Sequence, residues 1–259
     1  MSDTLTFAGS GELDNGWTVS LSHAIDGGNN DAMSITLGMG DAGTLKFEGL
    51  GGSGPVEETD DVTPTANEES WHGVAGTVSG LADGAETTRN FTYTLPTLVD
   101  GLAIDLFHAP TGAAQGSSVE WKAVFTGVEG LEVGYAGGEN NDNITNAIDN
   151  TNLWAKYTID AFTLGVQRNQ ENEQTASADT DFTAYGISYA VSDELSVSYN
   201  ASTVDHENTT LSDQDAQGIS FSYTSGGITI GGSAHSVDNV AGAAATDNSG
   251  YELNVAFAF

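Results

Sequence analysis

Six carboxylates crowd one stretch of the chain: Glu57, Glu58, Asp60, Asp61, Glu68 and Glu69, with no Lys or Arg between Lys46 and Arg89. Paired carboxylates can serve glycoside hydrolysis or bind calcium. Neither reading is supported by the spacing. The stretch has no Asp-x-Asp-x-Asp-Gly repeat, and nothing in it fixes two carboxyls at a catalytic separation. Five His (His23, His72, His108, His206, His235) are scattered without pairs at ligand spacing. A nucleophile elbow, a phosphate loop and a dinucleotide fingerprint are all missing. No catalytic residue is assigned, and the chain is expected not to be an enzyme. Left over is an acidic segment, read from its residues alone as a solvated surface loop.

The elements that would position this segment follow a simple rule. From Thr4 onward, stretches of alternating apolar and polar residues are separated by turn signals. Leu5 and Phe7 alternate with Thr4 and Thr6, Asp14-Asn-Gly16 turns the chain, and Trp17, Val19 and Leu21 follow. Side chains on a strand alternate faces, so each stretch has one oily and one polar side. Fifteen such strands are expected, and no stretch has helical period. The exception is about 51–87, long and aperiodic, which holds the six carboxylates. Short turns alternate with longer polar loops at 26–31, 109–116, 138–151, 169–181, 205–216 and 237–248. Sorting of this kind is expected of a membrane barrel, with short turns at one rim and long loops at the other.

Composition narrows the partners. With 5 Lys+Arg against 37 Asp+Glu, the formal charge is −32, which excludes a phosphate-binding, nucleic-acid function. Cys is absent, so disulfides and thiolate metal sites are excluded. No apolar run is long enough for a spanning helix. The three lysines Lys46, Lys122 and Lys156 all lie on the polar parity of their strands. Trp17, Tyr93, Trp121, Tyr157, Tyr199, Tyr223 and Tyr251 share the apolar parity, as an interfacial girdle would. Trp154 is out of parity, at a bulge or on the polar face.

The closing stretch, about 249–259, places Tyr251, Leu253, Val255, Phe257 and Phe259 on one face and Glu252, Asn254, Ala256 and Ala258 on the other. A terminal Phe preceded by apolar residues at every second position resembles the C-terminal signature of bacterial outer-membrane general diffusion porins. Thr59-Asp-Asp-Val-Thr-Pro-Thr-Ala-Asn-Glu-Glu-Ser-Trp71 and Gly9-Ser-Gly-Glu-Leu-Asp-Asn-Gly-Trp-Thr-Val19 resemble segments of the marine alphaproteobacterial type. The resemblance implies a single all-β domain over 1–259, an antiparallel transmembrane β-barrel of 16 strands, fifteen of them visible, whose third outer loop folds inward as a constriction. An odd strand count and the lack of a signal peptide point to an N-terminally truncated chain. By the same resemblance Glu57, Glu58, Asp60, Asp61, Glu68 and Glu69 line the constriction, Lys46, Lys122 and Lys156 form a basic wall, and Tyr251, Phe257 and Phe259 direct membrane assembly. The implied function is passive diffusion of small hydrophilic solutes and ions, with cations preferred. Implied partners are the lipid bilayer, lipopolysaccharide, the barrel-assembly machinery and two further copies in a homotrimer. No cofactor is expected, calcium at the acidic outer loops excepted. The competing reading is a secreted, acidic, β-rich surface or carbohydrate-binding protein with calcium-dependent loops.

Overall fold

The computed structural model describes residues 4–78, 80, 81, 84, 88–110, 116–141, 147–175 and 178–258. Phe259 lies outside them. Fifteen strands form one antiparallel sheet in sequence order: β1 (Leu5–Glu12), β2 (Thr18–Asp26), β3 (Asn29–Gly38), β4 (Thr44–Leu50), β5 (Asn90–Thr94), β6 (Leu102–Ala109), β7 (Ser118–Val128), β8 (Leu131–Asn140), β9 (Ile148–Ile159), β10 (Phe162–Glu173), β11 (Thr180–Ala190), β12 (Leu195–His206), β13 (Gln214–Ser225), β14 (Ile228–Asp238) and β15 (Asn248–Phe257). Among the described residues the only helical turns are three of 3-10 type, Gly40–Ala42, Glu57–Thr59 and Val240–Gly242. Among the described residues no helix is long and apolar enough to cross a membrane.

The strands follow the predicted alternation but outrun its apolar part. β10 continues to Glu173 through residues polar on both faces, and β12 continues to His206. The long loops are correspondingly shorter than expected. The expected loop at 26–31 is a tight turn instead. Gly27 and Gly28 both have positive φ (55° and 82°), which suits a two-residue hairpin with the right-handed twist of its strands. Asp26 pairs with Asn29 directly. Apart from the seven residues between β5 and β6, the sorting of the other connections holds: β7–β8, β9–β10 and β13–β14 turn in two residues, while 39 residues lie between β4 and β5.

Two compact units are distinguished. The first comprises 1–59, 82–127 and 134–151, and the second 60–81, 128–133 and 152–259. Burial is inverted in both. In the first, Leu5, Phe7, Leu106 and Val119 are exposed while Glu120, Asn90 and Ser118 are buried. In the second, Leu164, Tyr185, Ile219 and Leu253 are exposed while Gln167, Asn169, Asn200 and Gln214 are buried. A water-soluble sandwich would place these the other way round. Apolar faces turned outward are the arrangement that a lipid solvent stabilises.

Apolar clusters do lie on the polar-parity face, a small one of Phe107 and Ala109 on β6 and a larger one in the second unit. Phe182, Ala184, Val204, Ala216 and Val237 of β11–β14 pack with Trp71, Val74 and Leu81 of the long loop. Trp71 meets the Phe182 ring edge-on, with centroids 5.1 Å apart, a favourable quadrupole geometry.

Candidate functional site: the long acidic loop and its wall

Side chains from the sheet hold the loop, segment by segment. In the first unit, the Val56 N–H donates to Glu120 Oε2 of β7 at 2.9 Å. The 3-10 turn Glu57–Thr59 follows at once, with Thr59 Oγ1 donating to the Pro55 carbonyl. This turn presents Glu58 to Lys122 Nζ, 2.5 Å away, and Lys122 also lies 3.5 Å from Asp105 of β6.

In the second unit the loop crosses from β10 towards β15. Gln167 of β10 accepts from the Val62 N–H (2.8 Å) and donates to the Asp60 carbonyl (2.7 Å). Asn200 of β12 donates to the Pro64 carbonyl (3.0 Å), and Ser198, two residues away, accepts from the Ala66 N–H (2.9 Å). Ser220 of β13 accepts from the Asn67 N–H, and Asn254 of β15 reaches the Asn67 side chain. Further on, Val78 pairs with Gln214 of β13. These bonds satisfy backbone groups that an aperiodic segment would otherwise leave unpaired against the wall. Close approach is made possible by glycines on the inner face. A Cβ on Gly165 would collide with Pro64 Cδ, and one on Gly186 would lie 2.9 Å from the Pro64 carbonyl oxygen.

The predicted site residues divide as follows. Glu57 and Glu58 lie in the first unit; Asp60, Asp61, Glu68 and Glu69 in the second. Burial raises the Glu69 carboxyl above the usual carboxylate range; a backbone hydrogen bond and His72 oppose this, and the negative charges of Asp61 and Glu68 reinforce it. Glu68, Glu69 and His72 bring one donor atom each within 4.8 Å. Both His72 nitrogens are already engaged, Nδ1 by Glu68 and Nε2 by Glu252, each at 3.2 Å. Carboxylates surround a histidine there, with no ring lone pair directed outward.

None of the three predicted wall lysines stands alone. Lys46 pairs with Glu48 (2.6 Å) on its own strand, Lys156 with Glu132 of β8 (2.9 Å), and Lys122 with the loop itself through Glu58. Among the described residues, Lys122 is the one of the three that meets an acidic loop residue. The Lys46–Glu48 pair was readable, since residues two apart share a strand face. Trp154 faces inward, 3% exposed, with its indole N–H donating to Glu132 at 2.9 Å. At the chain's end Tyr251 and Phe257 lie on the exposed face of β15.

The profile of the Gram-negative porins matches residues 1–216. The chain belongs to the Gram-negative porin family. Its fold agrees with porins of known structure. The anion-selective porin of Comamonas acidovorans superposes with a TM-score of 0.74 at 15% identity, covering 99% of this chain and 89% of that one. OmpF of Salmonella typhi, in complex with daunomycin, gives 0.70 at 14% identity over 98% and 89%. OmpT of Vibrio cholerae gives 0.67 at 15% over 99% and 89%. No curated protein matches the sequence. As a porin, the chain forms a channel and resides in the bacterial outer membrane, and its exposed apolar strand faces are the lipid-facing side.

Proposed function

We propose that this porin is a single-domain, water-filled channel for passive diffusion of small hydrophilic solutes and ions, preferring cations, and that it works as a homotrimer. Permeation would select by width and field, without catalysis. The observation that carries the ionic preference is the pairing of Lys46, Lys122 and Lys156, each within 4.0 Å of a carboxylate. Their positive charge is spent locally, while the chain holds 37 Asp+Glu against 5 Lys+Arg. An excess of fixed negative charge beside a water-filled path raises local cation concentration. In this reading Glu57, Glu58, Asp60, Asp61, Glu68 and Glu69 border the path. Tyr251, Phe257 and Phe259 serve recognition by the assembly machinery, and lipopolysaccharide surrounds the outer rim.

The test is conductance in planar bilayers under a salt gradient. Stepwise openings with a zero-current potential of the cation-selective sign are expected. A potential of the opposite sign would overturn the ionic preference, and absence of steps would overturn the channel reading. The structurally similar porin of Comamonas acidovorans is anion-selective, so the sign has to be measured on this protein.

A further inference from the structure

His72 sits between two elements of the second unit. Its Nδ1 lies 3.2 Å from Glu68 Oε2 within the loop, and its Nε2 lies 3.2 Å from Glu252 Oε2 on β15. A neutral imidazole has one donor and one acceptor nitrogen, and its acceptor would face a carboxylate oxygen with lone pair against lone pair. Two carboxylate contacts are satisfied together only by the imidazolium, which donates from both nitrogens. Further carboxylates lie around the ring. Glu69 stands beside His72 in the loop, and Asp61 adds negative charge to Glu69. From the wall, His235 of β14 is the other titratable group within electrostatic reach. It lies opposite Gly250, next to the Ser233–Glu252 pair, on the same face of β14 and β15. A Cβ on Gly250 would come within 3.1 Å of the Gly73 carbonyl oxygen, so the turn after His72 rests directly on β15.

We infer that His72 is a proton-operated clasp that, as imidazolium, ties the Glu68–Gly73 turn of the loop to Glu252 of β15 and releases it when the proton leaves. The sign follows from the charges. With the proton bound, one cation bridges two carboxylates. Without it, Glu68, Glu69 and Glu252 repel one another across the same gap and one hydrogen bond is lost. The loop is therefore held while His72 carries its proton and loosened once the proton is lost. This device is independent of which ions or solutes the channel passes.

The chain has no Cys, so a single nitroxide on Ala75→Cys, at an exposed loop position, reports the turn's motion in the folded chain in detergent micelles. The mobile fraction of its spectrum should rise about twofold or more from about pH 5 to about pH 8 in the native background. His72→Gln should be mobile at both ends of that range, with no step. Glu252→Gln, which keeps the histidine but removes its wall partner, should also lose the step, and it serves should His72→Gln fail to fold. A pH step unchanged in either variant overturns the inference. So does mobilisation of the label at low pH by a chelator, which would assign the bridge to a bound metal ion.

Discussion

Gln214 pairs with the backbone of Val78 as a neighbouring strand would: the Val78 N–H donates to Gln214 Oε1 at 3.0 Å, and Gln214 Nε2 donates to the Val78 carbonyl at 2.9 Å. The same Oε1 accepts from the Ala241 N–H at 3.0 Å. One buried amide thus serves two loops. Gln214→Leu keeps the bulk but strands these backbone groups, and each unpaired buried group carries a desolvation penalty. A loss of about 2–4 kcal/mol is expected, read as a lower melting temperature of the folded protein in detergent.

Lys122 is matched to the loop through Glu58 and to the wall through Asp105. Lys122→Met would leave both carboxylates uncompensated. A unit charge about 6 Å from an ion in water is worth about 0.7 kcal/mol, or about a threefold change in local cation concentration. The zero-current potential under a potassium chloride gradient should move further towards the cation limit, and Glu58→Gln should move it back. A shift of the same sign in both variants would contradict the pairing as the source of the effect.

Where Pro64 lies against the wall, Gly165 leaves no room for a side chain. Gly165→Leu is expected to push the loop off its path and to cost about 1–3 kcal/mol, as overpacking does. Thermal unfolding checks the stability, and a changed single-channel conductance checks the displacement.

Glu69 makes the stability of this porin depend on acidity. A carboxyl whose native range is raised binds its proton more tightly folded than unfolded. Its contribution is therefore fully present at low pH and is lost as pH rises from the ordinary carboxylate range through the raised native one. Burial is the main cause, reinforced by Asp61 and Glu68. Glu69→Gln should raise the melting temperature at neutral pH and flatten its decline between mildly acidic and neutral buffers. An unaltered slope would show that Glu69 does not carry it.

Much of the fold could be read from alternation alone. Leu5, Tyr185 and Leu253 declare an oily face, and the aperiodic 51–87 declares a loop, found between Leu50 and Asn90. The anchors could not be read. Gln167, Asn200 and Gln214 occupy the same parity as dozens of polar positions, and which of them touches the loop depends on strand stagger and on the loop's path. Phe182, Val204 and Val237 broke the parity, and that departure was the one signal in the sequence that something apolar covers the inner face there. Trp154 gave the same signal, and its explanation is a carboxylate partner, Glu132, invisible without register. At the site, the lysines' parity was legible but their partners were not, save for Glu48 beside Lys46.

Pro64 and Ala66 are two residues apart and are gripped by Asn200 and Ser198, also two apart but counted in reverse. The match works as a vernier scale. One residue inserted between Pro64 and Ala66 would put every later grip out of step, whereas lengthening the connection between β1 and β2 would disturb no such count. Natural length variation and engineered tags should therefore be accommodated in the hairpins and refused in this short span.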